Sequence, residues 1–197
     1  KISFGLKVKI VNHFIFSSFA LIVCCGTISY NQMAIESPYE LISLEDSLIK
    51  TDLSRKNQEA LALAHKNIGL NKMIKKDFIN AKVYFSNVLN YSNDDSIAQY
   101  NLLMIDGHLL RKTGNKEKLW DAIELYYKAS RTQPFNGEPY FFIGKSYLSL
   151  GDMDFDLILE SYKKALKLQL SDELRKNIES EILLVSDREK KLKDFWK

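Results

Sequence analysis

Ala81-Lys-Val-Tyr-Phe85-Ser-Asn-Val88 decides the fold, because the chain writes this pattern three times. It returns as Ala122-Ile-Glu-Leu-Tyr126-Tyr-Lys-Ala129 and as Ile158-Leu-Glu-Ser-Tyr162-Lys-Lys-Ala165. Each copy sets a small or aliphatic residue, an aromatic four positions on, and a small or aliphatic residue three further on. Those offsets put all three side chains on one face of a helix. The copies start 41 and 36 residues apart. At such a period helix pairs stack, since one pair alone cannot bury its apolar face. The expected fold class is all-α.

Outward from this pattern, residues 31–40 carry Asn, Gln, Ser37 and Pro38 and read as a short tether. Tyr39 to Lys50 has apolar residues at 41, 42, 44, 48 and 49, the spacing of an amphipathic helix that covers the open end of an array. The pattern lapses around Thr51 to Lys56 and resumes from Gln58 to Lys75. Beyond the third copy, Ser171-Asp172-Glu173 makes a helix start, with serine as cap and acids in the first turn. Leu174, Ile178, Ile182, Val185, Leu192 and Phe195 then stripe one face, as in an end helix.

Asn67-Ile-Gly69 through Lys76-Asp77-Phe78 to Ala81 and Phe85 resembles the tetratricopeptide repeat (TPR) without a gap. Gly69 stands at that family's small site on the first helix of a pair, and Ala81, Phe85 and Val88 at the signature sites of the second. Small residues there let paired helices approach closely while the aromatic fills the space between pairs. The second copy has Tyr100-Asn-Leu102-Leu103, then Ala122, Tyr126, Ala129 and the family's terminal proline at Pro134. It carries seven extra residues between Leu103 and Ala122, expected to add a turn to the first helix and enlarge the loop Thr113 to Lys118. The third has Pro139-Tyr140, Ile143-Gly144, Tyr147 and Leu150-Gly151, with Ile158 larger than the usual alanine. The resemblance implies a right-handed α-solenoid of about three helix pairs with flanking end helices. The expected organisation is a leader or membrane anchor (1–30), tether and N-terminal helix (31–58), repeats (59–170) and a capping helix (171–197).

Hydrophobic content of 46% and charged content of 27% are those of a globular chain. The pI near 8.7 has a local origin: Lys1, Lys7 and Lys9 are the only charged residues of the first 30. Without them the body carries 25 basic and 25 acidic side chains, not the positive field of a nucleic-acid binder. The basic start leads into the apolar run Phe14 to Val23, then Cys24 and Cys25, the pattern of a signal segment. Leu21-Ile-Val-Cys24 resembles the bacterial lipoprotein signal box, with Val23 where that box has Gly, Ala or Ser. Three fates stay open: lipidation at Cys24 or Cys25, retention of Ile10 to Ile28 as an anchor, or ordinary secretion. The first two expect a body anchored in the cell envelope and facing the periplasm or exterior, with membrane contact through the N-terminal segment. Both cysteines lie in the leader, so the body has no thiol for a disulfide, nucleophile or metal site.

Tests for chemistry come out negative. Ile-Gly144-Lys145-Ser146 lacks the glycine of a phosphate loop, since Pro139 stands five places before Gly144. His65 and His108 have no partner at metal spacing and read as solvated or groove-lining. Asp152-x-Asp154-x-Asp156 lacks the glycine turn and closing glutamate of a calcium loop. Tyr84, Phe85, Tyr126, Tyr127, Tyr140, Phe141, Phe142 and Tyr162, with no basic interleaving, read as core rather than as a base-stacking surface. No enzyme, no cofactor, no metal and no small-molecule substrate are expected.

The resemblance implies instead a peptide or partner helix held on the concave face by the first helix of each pair. Its register places Leu63, Lys66, Leu70 and Met73 there from the first copy. The second gives Ile97, Tyr100, Met104 and His108, and the third Glu138, Phe141, Lys145 and Leu148. Family members that clamp a C-terminal carboxylate use a fixed Lys, Asn and Arg set. Lys66 and Asn101 match it, but Leu70, Glu138 and Phe142 replace the rest, so that activity is not expected. The expected function is a protein-interaction scaffold of the bacterial envelope. Its alternatives are a structural subunit self-associating through Tyr39 to Lys50 or Ser171 to Lys197, and an envelope hydrolase, for which no nucleophile–base pair is visible.

Overall fold

The computed structural model describes residues 29–151 and 154–196. Its regular elements are all helices: α1 (Tyr30–Glu36), α2 (Pro38–Ser43), α3 (Glu45–Thr51), α4 (Arg55–Ile74), α5 (Phe78–Tyr91), α6 (Ser96–Lys112), α7 (Lys116–Thr132), α8 (Glu138–Leu150), α9 (Phe155–Leu166) and α10 (Asp172–Phe195). The extended backbone pairing among these residues is one isolated parallel bridge, Asn136 with Gln169. Residues 1–28, with Cys24 and Cys25, lie outside the described residues, as do Asp152, Met153 and Lys197. No described helix is long and apolar enough to cross a membrane.

Local chemistry sets the helix starts. The Asp95 carboxylate accepts the Ala98 N–H at 2.8 Å, the Asn115 side chain accepts from Glu117 at 2.9 Å, and Ser171 Oγ accepts from Leu174 at 3.2 Å. Pro38 and Pro139 stand in the first turns of α2 and α8, where a missing N–H costs nothing. Gly114, with φ +69°, turns the chain between α6 and α7 in the left-handed region that favours glycine.

From α4 onward each helix packs on the next in sequence, through to α10, while α1 and α2 lie on α4. The three aromatics of the repeated pattern each point at a glycine one helix back. A Cβ on Gly69 would stand 3.1 Å from the Phe85 ring, one on Gly107 2.5 Å from Tyr126, and one on Gly144 2.4 Å from Tyr162. Phe85, Tyr126 and Tyr162 are fully buried there. Thus α4–α5, α6–α7 and α8–α9 meet by the same device, an aromatic ring laid on bare backbone. Ile158 is fully buried as well, so its bulk is absorbed at the third crossing.

Four expectations are corrected. The extra residues of the second copy enlarge no loop: the connection is Thr113 to Asn115 alone, and Lys116 to Lys118 are helical. Three of them lengthen α7, which begins six residues before Ala122, whereas α5 and α9 begin three before Ala81 and Ile158. The stretch 31–40 is no open tether, because α1 and the start of α2 occupy it and bury Ala34. Tyr39 to Lys50 is broken at Leu44, so that α2 and α3 each present one buried leucine, Leu41 and Leu48. The stripe on α10 is covered only as far as Val185. Leu192 is 37% and Phe195 79% exposed, since α9, with 12 residues, covers about half the length of α10, with 24.

Candidate partner-binding surface

The twelve side chains assigned to the concave face do not form an open trough. On α4, Leu63 is half-buried against the N-terminal cluster, Met73 is half-buried beside Phe85 and Ala81, and Leu70 is exposed. On α6 only Ile97 is exposed, while Tyr100, Met104 and His108 are buried. On α8, Phe141 is buried, Leu148 packs on the same cluster, and Glu138 and Lys145 are half-buried. Tyr100, Met104 and Phe141 share one apolar cluster. Large apolar side chains on this face close on one another instead of facing water, and their burial stabilises the fold. Of the twelve only Leu70 and Ile97 are exposed, so the free part is narrower than the repeat register implied.

Its charges are also engaged within the chain. Lys66 pairs with Asp95, the cap of α6, and Lys145 pairs with Glu181 of α10 at 2.8 Å. Asn101 donates to the Ile97 carbonyl at 2.8 Å and is buried. The two residues that match a carboxylate clamp are thus held by internal partners.

Both body histidines are buried, not solvated. His65 Nε2 lies 3.0 Å from Glu45 Oε1, and the Tyr91 hydroxyl donates to the same carboxylate oxygen, tying α3 to α4 and α5. His108 Nδ1 lies 2.9 Å from the Tyr126 hydroxyl, with Phe78 and Phe142 against its ring. Burial, with the Arg111 guanidinium as a second cause, pushes the His108 imidazole down to about 4. It is neutral at physiological pH.

Two clefts open where the second helix of one pair leads into the first helix of the next. One, about 530 Å³, lies between α4 and the α5–α6 connection and is lined by Leu63, Lys66 and Asp95 among others. The other, about 600 Å³, lies between the α7–α8 and α9–α10 connections. Two backbone hydrogen bonds stiffen it: Gly137 N–H to the Gln169 carbonyl at 2.9 Å, and Gln169 N–H to the Phe135 carbonyl at 2.8 Å. Glu138 lines this second cleft. Its Oε2 accepts the Tyr100 O–H at 3.1 Å, and Asn136 Nδ2 donates to the same tyrosine oxygen at 2.9 Å. Burial raises the Glu138 carboxyl above the usual range, and the Tyr100 hydrogen bond only partly opposes that.

The repeat register places Tyr100 and Glu138 on one face but gives no sign of Asn136 and Gln169 as their surroundings. Nothing in their spacing links α6 to two loops that meet only in the fold. No family model matches the chain, and no curated protein matches it either.

Proposed function

We propose that this chain is a TPR-like α-solenoid of three helix pairs that acts as a protein-interaction adaptor, tethered at a bacterial membrane with its body facing the periplasm or exterior. The observation that carries it is the threefold glycine–aromatic crossing, repeated at α4–α5, α6–α7 and α8–α9. A chain that repeats one packing unit and stacks it in sequence order is an extended surface, the geometry suited to holding a peptide or partner helix. The envelope location rests on the leader pattern alone, and its test is the mass of the mature N-terminus: a diacylglyceryl-modified Cys24 or Cys25 supports the tether.

The surface open to a partner is the α4–α6 face around Leu70 and Ile97, which are 37% and 39% exposed. Leu70→Asp with Ile97→Asp should abolish capture of a partner that the parent chain retains. Val83→Asp, on the exposed side of α5, should leave capture intact. Retention by the double variant would overturn this placement.

A second reading, self-association through the C-terminal helix, is favoured by Leu183, Leu184, Phe195 and Trp196, all more than two-thirds exposed on or just after α10. Light scattering separates the two, because loss of a dimer on deleting the last 25 residues belongs to self-association.

A further inference from the structure

We infer that the cleft between the α7–α8 and α9–α10 connections receives a basic side chain of a peptide partner, whose guanidinium or ammonium group pairs with Glu138. This rests on the adaptor reading and names the chemistry of one of its contacts.

The two clefts described above make the case by contrast. In the first, the carboxylate is Asp95, and the chain supplies its own cation, Lys66. Lys66 stands three residues before Gly69. Three residues before the corresponding Gly107 the chain has Met104, so α6 offers Glu138 no lysine from the same register. Among the described residues no lysine or arginine forms an ion pair with Glu138. The half-buried Glu138 carboxylate takes one hydroxyl donor from the chain and keeps acceptor capacity for an incoming cation, with which it makes a charge-assisted contact.

The remaining walls suit the stem of such a side chain. Pro134, Phe135, Leu170 and Leu174 offer apolar surface for its methylenes, and Phe135, 72% exposed, adds an aromatic ring to which a guanidinium is attracted. The polar groups around Glu138 are already oriented. Asn136 donates to the Tyr100 oxygen, which aims the tyrosine proton at Glu138, and Asn136 Oδ1 accepts the Glu138 N–H at 2.9 Å. Reorganisation on binding is correspondingly small.

The test is titration calorimetry of the full chain with an end-blocked hexa-arginine peptide, and with the same peptide in citrulline as the uncharged isostere. The arginine peptide should bind and the citrulline peptide should not. Glu138→Gln keeps an acceptor for Tyr100 and should weaken binding about tenfold or more, the effect of one charge-assisted contact. Glu124→Gln, which removes an exposed acid elsewhere, should change it little. Gln169→Arg, whose backbone keeps the loop bridge while its side chain fills the cleft from within, should also weaken binding about tenfold. Binding should decline as pH falls and Glu138 takes up a proton. The groups facing it are Tyr100 of α6 and, at longer range, Tyr126 of α7, while Gln169, Ser171 and Leu174 supply no charge.

No binding by the parent chain, or equal losses in Glu138→Gln and Glu124→Gln, would overturn the inference. Partner capture that survives Glu138→Gln but fails in the Leu70/Ile97 double variant would remove this contact and leave the adaptor standing.

Discussion

At the residue scale the buried ionisable groups carry consequences that can be measured. The folded chain holds His108 neutral down to about pH 4, whereas an unfolded histidine takes its proton near pH 6.5. Between those values the unfolded state binds more protons than the folded one, so stability falls as pH drops through that window. Glu138 acts in the opposite sense, because a raised carboxyl favours the folded state as pH falls. The comparison must therefore be made between parent and His108→Gln in urea unfolding at two pH values. The parent should be the more stable at pH 7, and its advantage should shrink by roughly 2 kcal/mol at pH 4.5. An unchanged gap would mean that His108 titrates freely in the fold. This histidine also shows where the sequence stopped being informative. Helical register puts it on the inner face, but its burial depends on Phe78 of α5, Tyr126 of α7 and Phe142 of α8, three elements whose meeting no local spacing encodes.

At the scale of elements, the helix crossings were legible because an aromatic four positions from a small residue is a local signal. Gly69 and Gly144 could be assigned by the same pattern. Gly107 could not, because the added turn of α7 shifted its aromatic out of the expected register, and only the packed pair shows that it meets Tyr126. The crossings are not equally tight. Alanine at Gly107 or Gly144 would put a methyl within 2.5 Å of a fully buried ring, forcing the helices apart at about 1–3 kcal/mol. Alanine at Gly69 meets Phe85 at 3.1 Å, and the helix-propensity gain of about 1 kcal/mol largely offsets that contact. Thermal or urea unfolding should therefore rank Gly69→Ala near the parent and the other two well below it. Three equal losses would disprove the graded crossing.

The end helix was equally legible in its start and its first turns, but not in its coverage. Periodicity marks a face as apolar without saying whether a neighbour is long enough to hide it. Ile178→Ala should cost about 2–4 kcal/mol, since the side chain is fully buried in the largest cluster. Leu183→Ala, at 73% exposure, should stay within about 0.5 kcal/mol of the parent.

For the whole molecule, the apolar core is divided: one cluster joins α1–α3 to α4, a second lies across α4–α6, and the largest runs from α6 to α10. Helices pack chiefly on their sequence neighbours. Such a chain opens in pieces, and the piece with least support opens first. That piece is α1–α3. Its helices have seven, six and seven residues, too short to persist alone, and each buries a single side chain, Ala34, Leu41 or Leu48. The Glu45 carboxylate, held by His65 of α4 and Tyr91 of α5, is the polar tie that keeps α3 in place. Native-state hydrogen exchange should show amides of residues 30–51 exchanging well before those of α7–α9. Glu45→Ala leaves His65 and Tyr91 without their shared acceptor, and should speed exchange in 30–51 further. Rates in 155–185 should stay unchanged, because no cluster is common to the two regions. Uniform acceleration from α1 to α10 would instead mean that the three clusters unfold as one unit.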